Sequence, residues 1–297
     1  KDIKKNKLIR LFYAIFFYVK IILLNSFNRI EINFWNISFL PIFDCMVLIF
    51  LKIIRKKNVL ILHNTLVNHG NYKSIRNLGY NQYLMLFDKI ICHDNIENIS
   101  NIINKKTLEK IEFIDFPKYN YSNLKRKKSK LFTIGFAGII SKNKNIEILP
   151  KLFKNLPNEL LKKCDLKIIG KNIYDISNVI TELKQINSLN LKVENNLLSD
   201  EEFNSEIFNC DLMLMPYLFC SGSALLSQCQ SMGIPTMCSK ISFFNDQQKK
   251  DKSIILCDYN LSDFQDKLIY CMTKVFSNKN NNKSTIKDYC DKIIQPL

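Results

Sequence analysis

From Arg29 onward, short apolar runs of β type alternate with helix-length segments whose apolar positions recur every three to four residues. The runs Glu31–Ile37, Val59–His63, Lys89–His93 and Glu112–Phe116 predict short buried strands, with helices between them at Phe39–Ile54, Lys73–Phe87 and Asn95–Asn104. The pattern then restarts. Strands are predicted at Leu131–Ala137, Asp165–Ile169, Leu191–Glu194, Asp211–Met215, Thr236–Cys238 and Ser253–Leu256. The helices between and after them are predicted at Asn145–Lys163, Ile176–Ile186, Asp200–Phe208, Ala224–Met232 and Leu261–Val275. Strand–helix alternation of this kind gives a parallel sheet wrapped on both faces, so the fold class is α/β. Two such series predict two Rossmann-like doubly wound domains: residues 1–124 and 131–280, joined by a basic linker at 125–130, with 281–297 as a tail that packs back on the first. The first series opens in a predicted helix, Lys5–Leu24, where a Rossmann-like domain opens with a strand and a Gly-rich turn. That domain is therefore expected to be short of its first βαβ unit.

Charge adds a partner to this picture. The net charge is +16, from 43 basic and 27 acidic side chains, concentrated at Lys1–Arg10, Lys52–Lys57 and Lys125–Lys130. Such a balance favours anionic partners. The aromatic stacking platforms and helix-turn-helix pattern of nucleic-acid readers are absent, so no nucleic acid is expected and an anionic membrane surface is. The segment Leu8–Leu24 is interrupted by Arg10 and Lys20, each costing roughly 2.5–3.5 kcal/mol near a span centre. Its uninterrupted part, Leu11–Val19, is about half of the ~20 residues a span needs. A buried or interfacial helix is predicted there, and the protein is expected in the cytoplasm, peripheral on the inner face of the plasma membrane. The 10 cysteines are scattered through apolar runs without a C-x-x-C pair. They read as buried thiols of a reduced compartment, with neither metal-ligand spacing nor a disulfide framework.

In open α/β sheets ligands sit beyond the carboxyl ends of the strands, so the chemistry is sought there. Leu131–Ala137 is followed by Gly138 and, six residues later, Lys144: a close backbone approach and a cation suited to phosphate. Asp165–Ile169 ends at Gly170, and Leu191–Glu194 runs into Asn195 and Asn196. Ser199 with Glu202 makes a capping box. The turn Ser221-Gly222-Ser223 opens the helix Ala224–Met232, whose free N–H groups and dipole form an anion site suited to a pyrophosphate; Ser221 reads equally as an N-cap. All three histidines fall in the first series: His63 with Asn64 after one strand, His69 in the following loop, and His93 after another strand.

The succession G-x-x-S-x-x-K (Gly138, Ser141, Lys144), K-I-I-G (Lys167–Gly170), S-D-E-E-F, C-D-L-M-L-M-P-Y and S-M-G-I-P-T-M-C-S resembles the C-terminal domain of retaining GT-B glycosyltransferases, among them bacterial mannosyl- and glucosyltransferases of surface glycans. The resemblance covers roughly Leu131–Val275. It implies two Rossmann-like domains facing a cleft, with the donor on the C-terminal one and the acceptor on the N-terminal one. In such enzymes the strand-end Gly and the Lys hold the donor diphosphate, and they match Gly138 and Lys144. The usual Arg after that Gly is Ile139 here, and the E-x7-E pair falls on Cys220 and Gln228, neither a carboxylate. Gln228 can still hydrogen-bond ribose, and Ser221–Ser223 is expected to take over diphosphate binding. The H-N-T…Asn68-His69-Gly70 stretch resembles the family's His loop, which makes His63 the candidate catalytic residue, beside the donor sugar and acceptor. The family's Gly-rich loop after its first strand has no match.

The resemblance implies a glycosyltransferase that moves a hexosyl group from a nucleotide-sugar donor to a surface-glycan or lipid-linked saccharide acceptor, with retention and with no cofactor or metal. Two alternatives stay open: a sugar-nucleotide epimerase or hydrolase on the same fold, and a non-catalytic GT-B scaffold subunit.

Overall fold

The computed structural model describes residues 2–27, 30–36, 41–62, 79–93, 103–126 and 129–278. The chain divides into two compact units, Lys1–Asp115 and Phe116–Leu297. The division falls ahead of the basic segment 125–130, because the stretch after Asp115 is tied to the second unit. Arg126 donates to Asp211 Oδ1 at 2.7 Å and to the Cys210 carbonyl at 2.9 Å. Ser227 Oγ donates to the Pro117 carbonyl at 2.8 Å, and the Tyr119 amide donates to Ser231 Oγ at 3.2 Å.

In the first unit, β1 (Ile32–Asn36), β2 (Lys57–Leu62), β3 (Lys89–Cys92) and β4 (Ile111–Phe113) form a parallel sheet in sequential order. Helices Asp2–Phe27, Pro41–Ile53 and Tyr80–Met85 belong to it. Its core gathers Trp35, Leu48, Leu51, Leu60, Leu84, Phe87 and Ile90. The Trp35 indole N–H donates to Asn58 Oδ1 at 3.1 Å, which satisfies the one polar atom of a large buried ring. The Asp44 carboxylate is also buried, and it accepts from the Tyr18 hydroxyl at 2.5 Å and the Tyr83 hydroxyl at 3.1 Å. Three helices are thereby joined through one polar point. Of the predicted helices, the span 73–87 is described from residue 79, where Tyr80–Met85 is helical, and the span 95–104 only at 103–104, where the Asn104 side chain caps the short helix Lys105–Leu108.

The second unit holds a six-stranded parallel sheet: β5 (Phe132–Ala137), β6 (Cys164–Ile169), β7 (Asn190–Glu194), β8 (Leu212–Met215), β9 (Thr236–Ser239) and β10 (Ile254–Cys257). Their order is β10-β9-β8-β5-β6-β7. Burial follows the sequence pattern. Every residue of the interior strands β5, β8 and β9 is buried, while the edge strand β7 alternates exposed and half-buried positions. Phe132, Ile134 and Phe136 pack on one side with Leu152, Phe153 and Phe264. Ala137, Met213, Met215 and Tyr217 pack on the other with Phe244. Each large side chain so buried contributes about 1.5–3 kcal/mol.

Two helices differ from the sequence pattern. The predicted span Asn145–Lys163 is broken into helices Ile148–Lys154 and Asn158–Leu161, and a 3-10 turn at Lys142–Lys144 precedes them. Asn145 adopts left-handed φ 56°, which ends the 3-10 turn, and Pro157 has no N–H with which to continue the longer helix. A helix at Ser242–Lys250 has no counterpart in the pattern, since only Phe243 and Phe244 of its nine residues are buried.

Candidate functional site

The site is built where the chain reverses direction across the second sheet. From β5 it proceeds to β6 and β7 on one side, then returns to β8 and β9 on the other. The carboxyl ends of β5 and β8 flank this switch point, the usual place for a ligand in an open α/β sheet.

Gly138 leaves β5 with φ 92° and Gly170 leaves β6 with φ 118°. A Cβ on Gly170 would lie 2.5 Å from the Gly138 carbonyl oxygen, and one on Gly138 would lie 2.5 Å from Lys144 Nζ. Only glycine fits this stack. Lys144 follows Gly138 through the 3-10 turn and folds back beneath it. Its ammonium donates to the Ala137 carbonyl at 2.7 Å and lies 5.3 Å above the Tyr217 ring. Among the described residues it has no carboxylate partner, and burial lowers its pKa to about 8, with the Cys220 thiol acting weakly in the opposite sense.

The turn bearing Lys144 is stitched to the segment after β8. The Asn143 carbonyl accepts from the Leu218 amide at 2.9 Å, and the Asn143 side-chain amide donates to the Phe219 carbonyl at 2.6 Å. Tyr217 is buried between Lys144 and Phe244, its ring 5.7 Å from that of Phe244. The segment continues through Cys220, Ser221 and Gly222 into the helix Ala224–Met232. Ser223 caps that helix, its Oγ accepting from the Leu226 amide at 3.1 Å. The cap is thus Ser223 and not Ser221. Ser221 is buried, and Cys220 Sγ donates to the Gly222 carbonyl. One turn along, Gln228 donates to Asn204 Oδ1 at 3.3 Å and also hydrogen-bonds the Tyr121 hydroxyl.

Gly138, Lys144 and Gly170 therefore meet, and Ser221, Gly222 and Ser223 lie on the segment sewn to them. Asn195 is more remote. Its Oδ1 accepts from the Asn172 amide at 3.1 Å, and Asn172 bridges to Ile140 beyond Gly138. Asn195 and Asn196 are both exposed. In the first unit the His93 ring nitrogen Nδ1 is 2.8 Å from the Ile114 carbonyl, which ties the end of β3 to the end of β4. His63, Asn64 and His69 lie outside the described residues. Asn143, Tyr217 and Tyr121 were missed by the sequence reasoning. Tyr217 had a signal in the Pro-Tyr turn after β8, while the reach of Asn143 and Tyr121 depends on tertiary contacts alone. No group of three or more potential metal ligands occurs among the described residues. The described cysteines are buried, apart from the half-buried Cys45.

No protein-family model matches the chain, and no curated protein matches it in sequence. Solved structures do match in three dimensions. Anabaena Alr3699/HepE, solved with UDP and glucose, superposes with a TM-score of 0.67 at 12% identity, over 93% of this chain and 76% of that one. Sucrose-phosphate synthase from Thermosynechococcus elongatus gives 0.68 at 10% identity, over 86% of this chain and 68% of that one. WaaG, a glycosyltransferase involved in lipopolysaccharide biosynthesis, gives 0.58 at 11% identity, over 86% and 82%. These proteins share the GT-B architecture, and at such identities the likeness establishes architecture: the chain has the GT-B fold of glycosyltransferases, with two parallel α/β units.

Proposed function

We propose that the protein is a nucleotide-sugar-dependent glycosyltransferase, and the observation that carries this reading is Lys144. A largely buried ammonium with no carboxylate partner, set at a glycine-lined strand end against the segment that leads through Tyr217 and Cys220 into a capped helix, is suited to an anion. Its place at the switch point of a GT-B sheet points to the diphosphate of a nucleotide-sugar. The HepE structures with UDP and glucose and with UDP-glucose support the same donor class.

In this reading Gly138, Lys144, Gly170 and Ser221–Ser223 hold the diphosphate, with Gln228 toward the ribose and Asn195 and Asn196 on the flank of the donor. The group transferred is a hexosyl unit, with retention, to a surface-glycan or lipid-linked saccharide. His63 lies beside the reacting sugar and stabilises its developing positive charge by positioning, with Asn64, His69 and His93 on the acceptor side. Lys144, the Ser-Gly-Ser turn and the helix dipole supply the positive potential, so neither metal nor cofactor is called for. The enzyme works at the cytoplasmic face of the plasma membrane as a peripheral protein.

Calorimetry with UDP and other nucleoside diphosphates tests the placement. Charge-assisted contacts to phosphate contribute roughly 1.5–3 kcal/mol each, so Lys144→Ala should weaken diphosphate binding about tenfold to a hundredfold. Unchanged affinity in that variant would show the site to be misplaced. A non-catalytic scaffold is the second reading, and one observation favours it: Gln228, at the second E-x7-E position, is already engaged by Asn204 and Tyr121. Donor binding without turnover against saccharide acceptors would decide for the scaffold.

A further inference from the structure

Helix Asp2–Phe27 has two apolar faces, and its own unit uses one. The line that packs inward is Tyr18, Ile21, Ile22 and Asn25, at helical spacing. On the opposite side Tyr13, Phe16, Phe17, Leu23, Leu24 and Phe27 are between 39% and 83% exposed, with Lys20 among them. Helix Pro41–Ile53 carries a second outward stripe, Phe43, Met46, Ile49 and Ile53, each at least 37% exposed. Tyr18 stacks on Phe43 at 5.9 Å, which sets the second stripe beside the first helix. Scattered apolar residues need no explanation on a protein surface, but ten on the outward faces of two neighbouring helices do.

Charge selects the occupant. Residues 1–27 carry six basic side chains (Lys1, Lys4, Lys5, Lys7, Arg10 and Lys20) against the single acid Asp2. The second helix runs into Lys52, Arg55, Lys56 and Lys57, while its one acid, Asp44, is buried against two tyrosines. A second copy of the same surface would oppose like charges. An anionic bilayer meets both needs, taking aromatic and aliphatic side chains at the headgroup boundary and basic ones against the lipid charge. Among the described residues no helix is long and apolar enough to cross a membrane, so the helix would lie in the interface.

We propose that the outward faces of Asp2–Phe27 and Pro41–Ile53 form one docking surface for an anionic lipid bilayer. This deepens the peripheral reading above by naming the surface and the lipid charge, and it is independent of sugar transfer.

The test is co-sedimentation of the full chain with vesicles of phosphatidylcholine alone and with added phosphatidylglycerol, at low and high salt. The expected result is binding at least about tenfold stronger on the anionic vesicles and weakened by salt. The double variant Phe16→Glu/Leu23→Glu should lose about tenfold or more of that binding. Both positions face outward, and circular dichroism checks the fold; Lys20→Ala, milder still, should give a smaller loss in the same direction. Equal binding to neutral vesicles, no binding, or unaltered binding by the double variant overturns the proposal. So does light scattering that shows a dimer broken by the same variant, which would assign the surface to a second copy. A UDP-induced thermal shift, read on the same samples, reports the donor site separately. Its retention alongside lost vesicle binding isolates the docking surface, and its absence from the unmodified protein counts against the functional reading alone.

Discussion

The ammonium of Lys144 is held by a carbonyl and an aromatic face, both weaker than a counter-charge, and this makes the site responsive to pH. With its pKa lowered to about 8, the group loses its proton in the folded protein before it would in the unfolded chain. An anion bound against it favours the charged form and raises that pKa again. Diphosphate binding near pH 8 should therefore take up on the order of half a proton, and affinity should fall as pH rises above 8. Calorimetry in two buffers of different ionisation enthalpy measures the uptake, and Lys144→Met should abolish it. Without ligand the sign differs. Between pH 8 and the ordinary lysine range the unfolded chain binds more protons, so this group's contribution to stability rises with pH there; below pH 8 its desolvation penalty is present in full. At the neighbouring strand end the constraint is steric. Gly170→Ala would force a Cβ against the Gly138 carbonyl at φ 118°, at a cost of about 1–3 kcal/mol. For a chain of this size that is a fall of roughly 2–4 °C in Tm per kcal/mol, readable by thermal denaturation.

At the scale of elements, two serine caps invite comparison. Ser223 caps Ala224–Met232, and Ser199 caps Asp200–Phe208 in a full capping box with Glu202. Either Ser→Ala change should cost about 0.5–2 kcal/mol of stability. Only Ser223→Ala should also weaken UDP binding, because the N-terminus it loosens follows directly on the segment whose Tyr217 and Cys220 face Lys144; equal UDP affinity in both variants would detach that helix from the donor site. The Ser199 box was legible in the sequence because it is a local pattern of side chain and backbone three residues apart. The cap at Ser223 was less so: Ser221 and Ser223 are chemically alike, and the choice depends on where β8 delivers the chain. Strands β5, β8 and β9 were legible for the same reason that their burial is complete, since continuous apolar runs such as Leu212–Met215 suit a strand covered on both faces. Helix Ser242–Lys250 was not, because two phenylalanines followed by N-D-Q-Q-K-K give no repeat of apolar positions. Gly138 and Lys144 were read from their place after a strand and from the resemblance, whereas Asn143 and Tyr217 join them through contacts some 75 residues distant in sequence.

For the whole molecule, the thiols give a simple test. Burial pushes the Cys164 and Cys210 thiols up to about 12, and Cys92, Cys220, Cys229, Cys238, Cys257 and Cys271 are buried with them. A thiol reagent at neutral pH should therefore react first in the native protein at the half-buried Cys45, and slowly there because burial and the nearby Asp44 raise its thiol pKa, setting aside Cys290, which lies outside the described residues. Denaturant should release the other eight together if the protein unfolds in one step, and in two groups if it does not. Those groups would be unequal, since Cys92 belongs to the first unit and the remaining seven to the second. The chain has a single tryptophan, Trp35, enclosed by Phe87 and bonded to Asn58 within the first unit. Its emission is consequently a native optical label for one half of the molecule. Fluorescence follows the loss of that half while far-ultraviolet dichroism follows both, so superimposable melting curves would mean that the two units share one cooperative transition, and separated curves would give each its own melting point without a label being added.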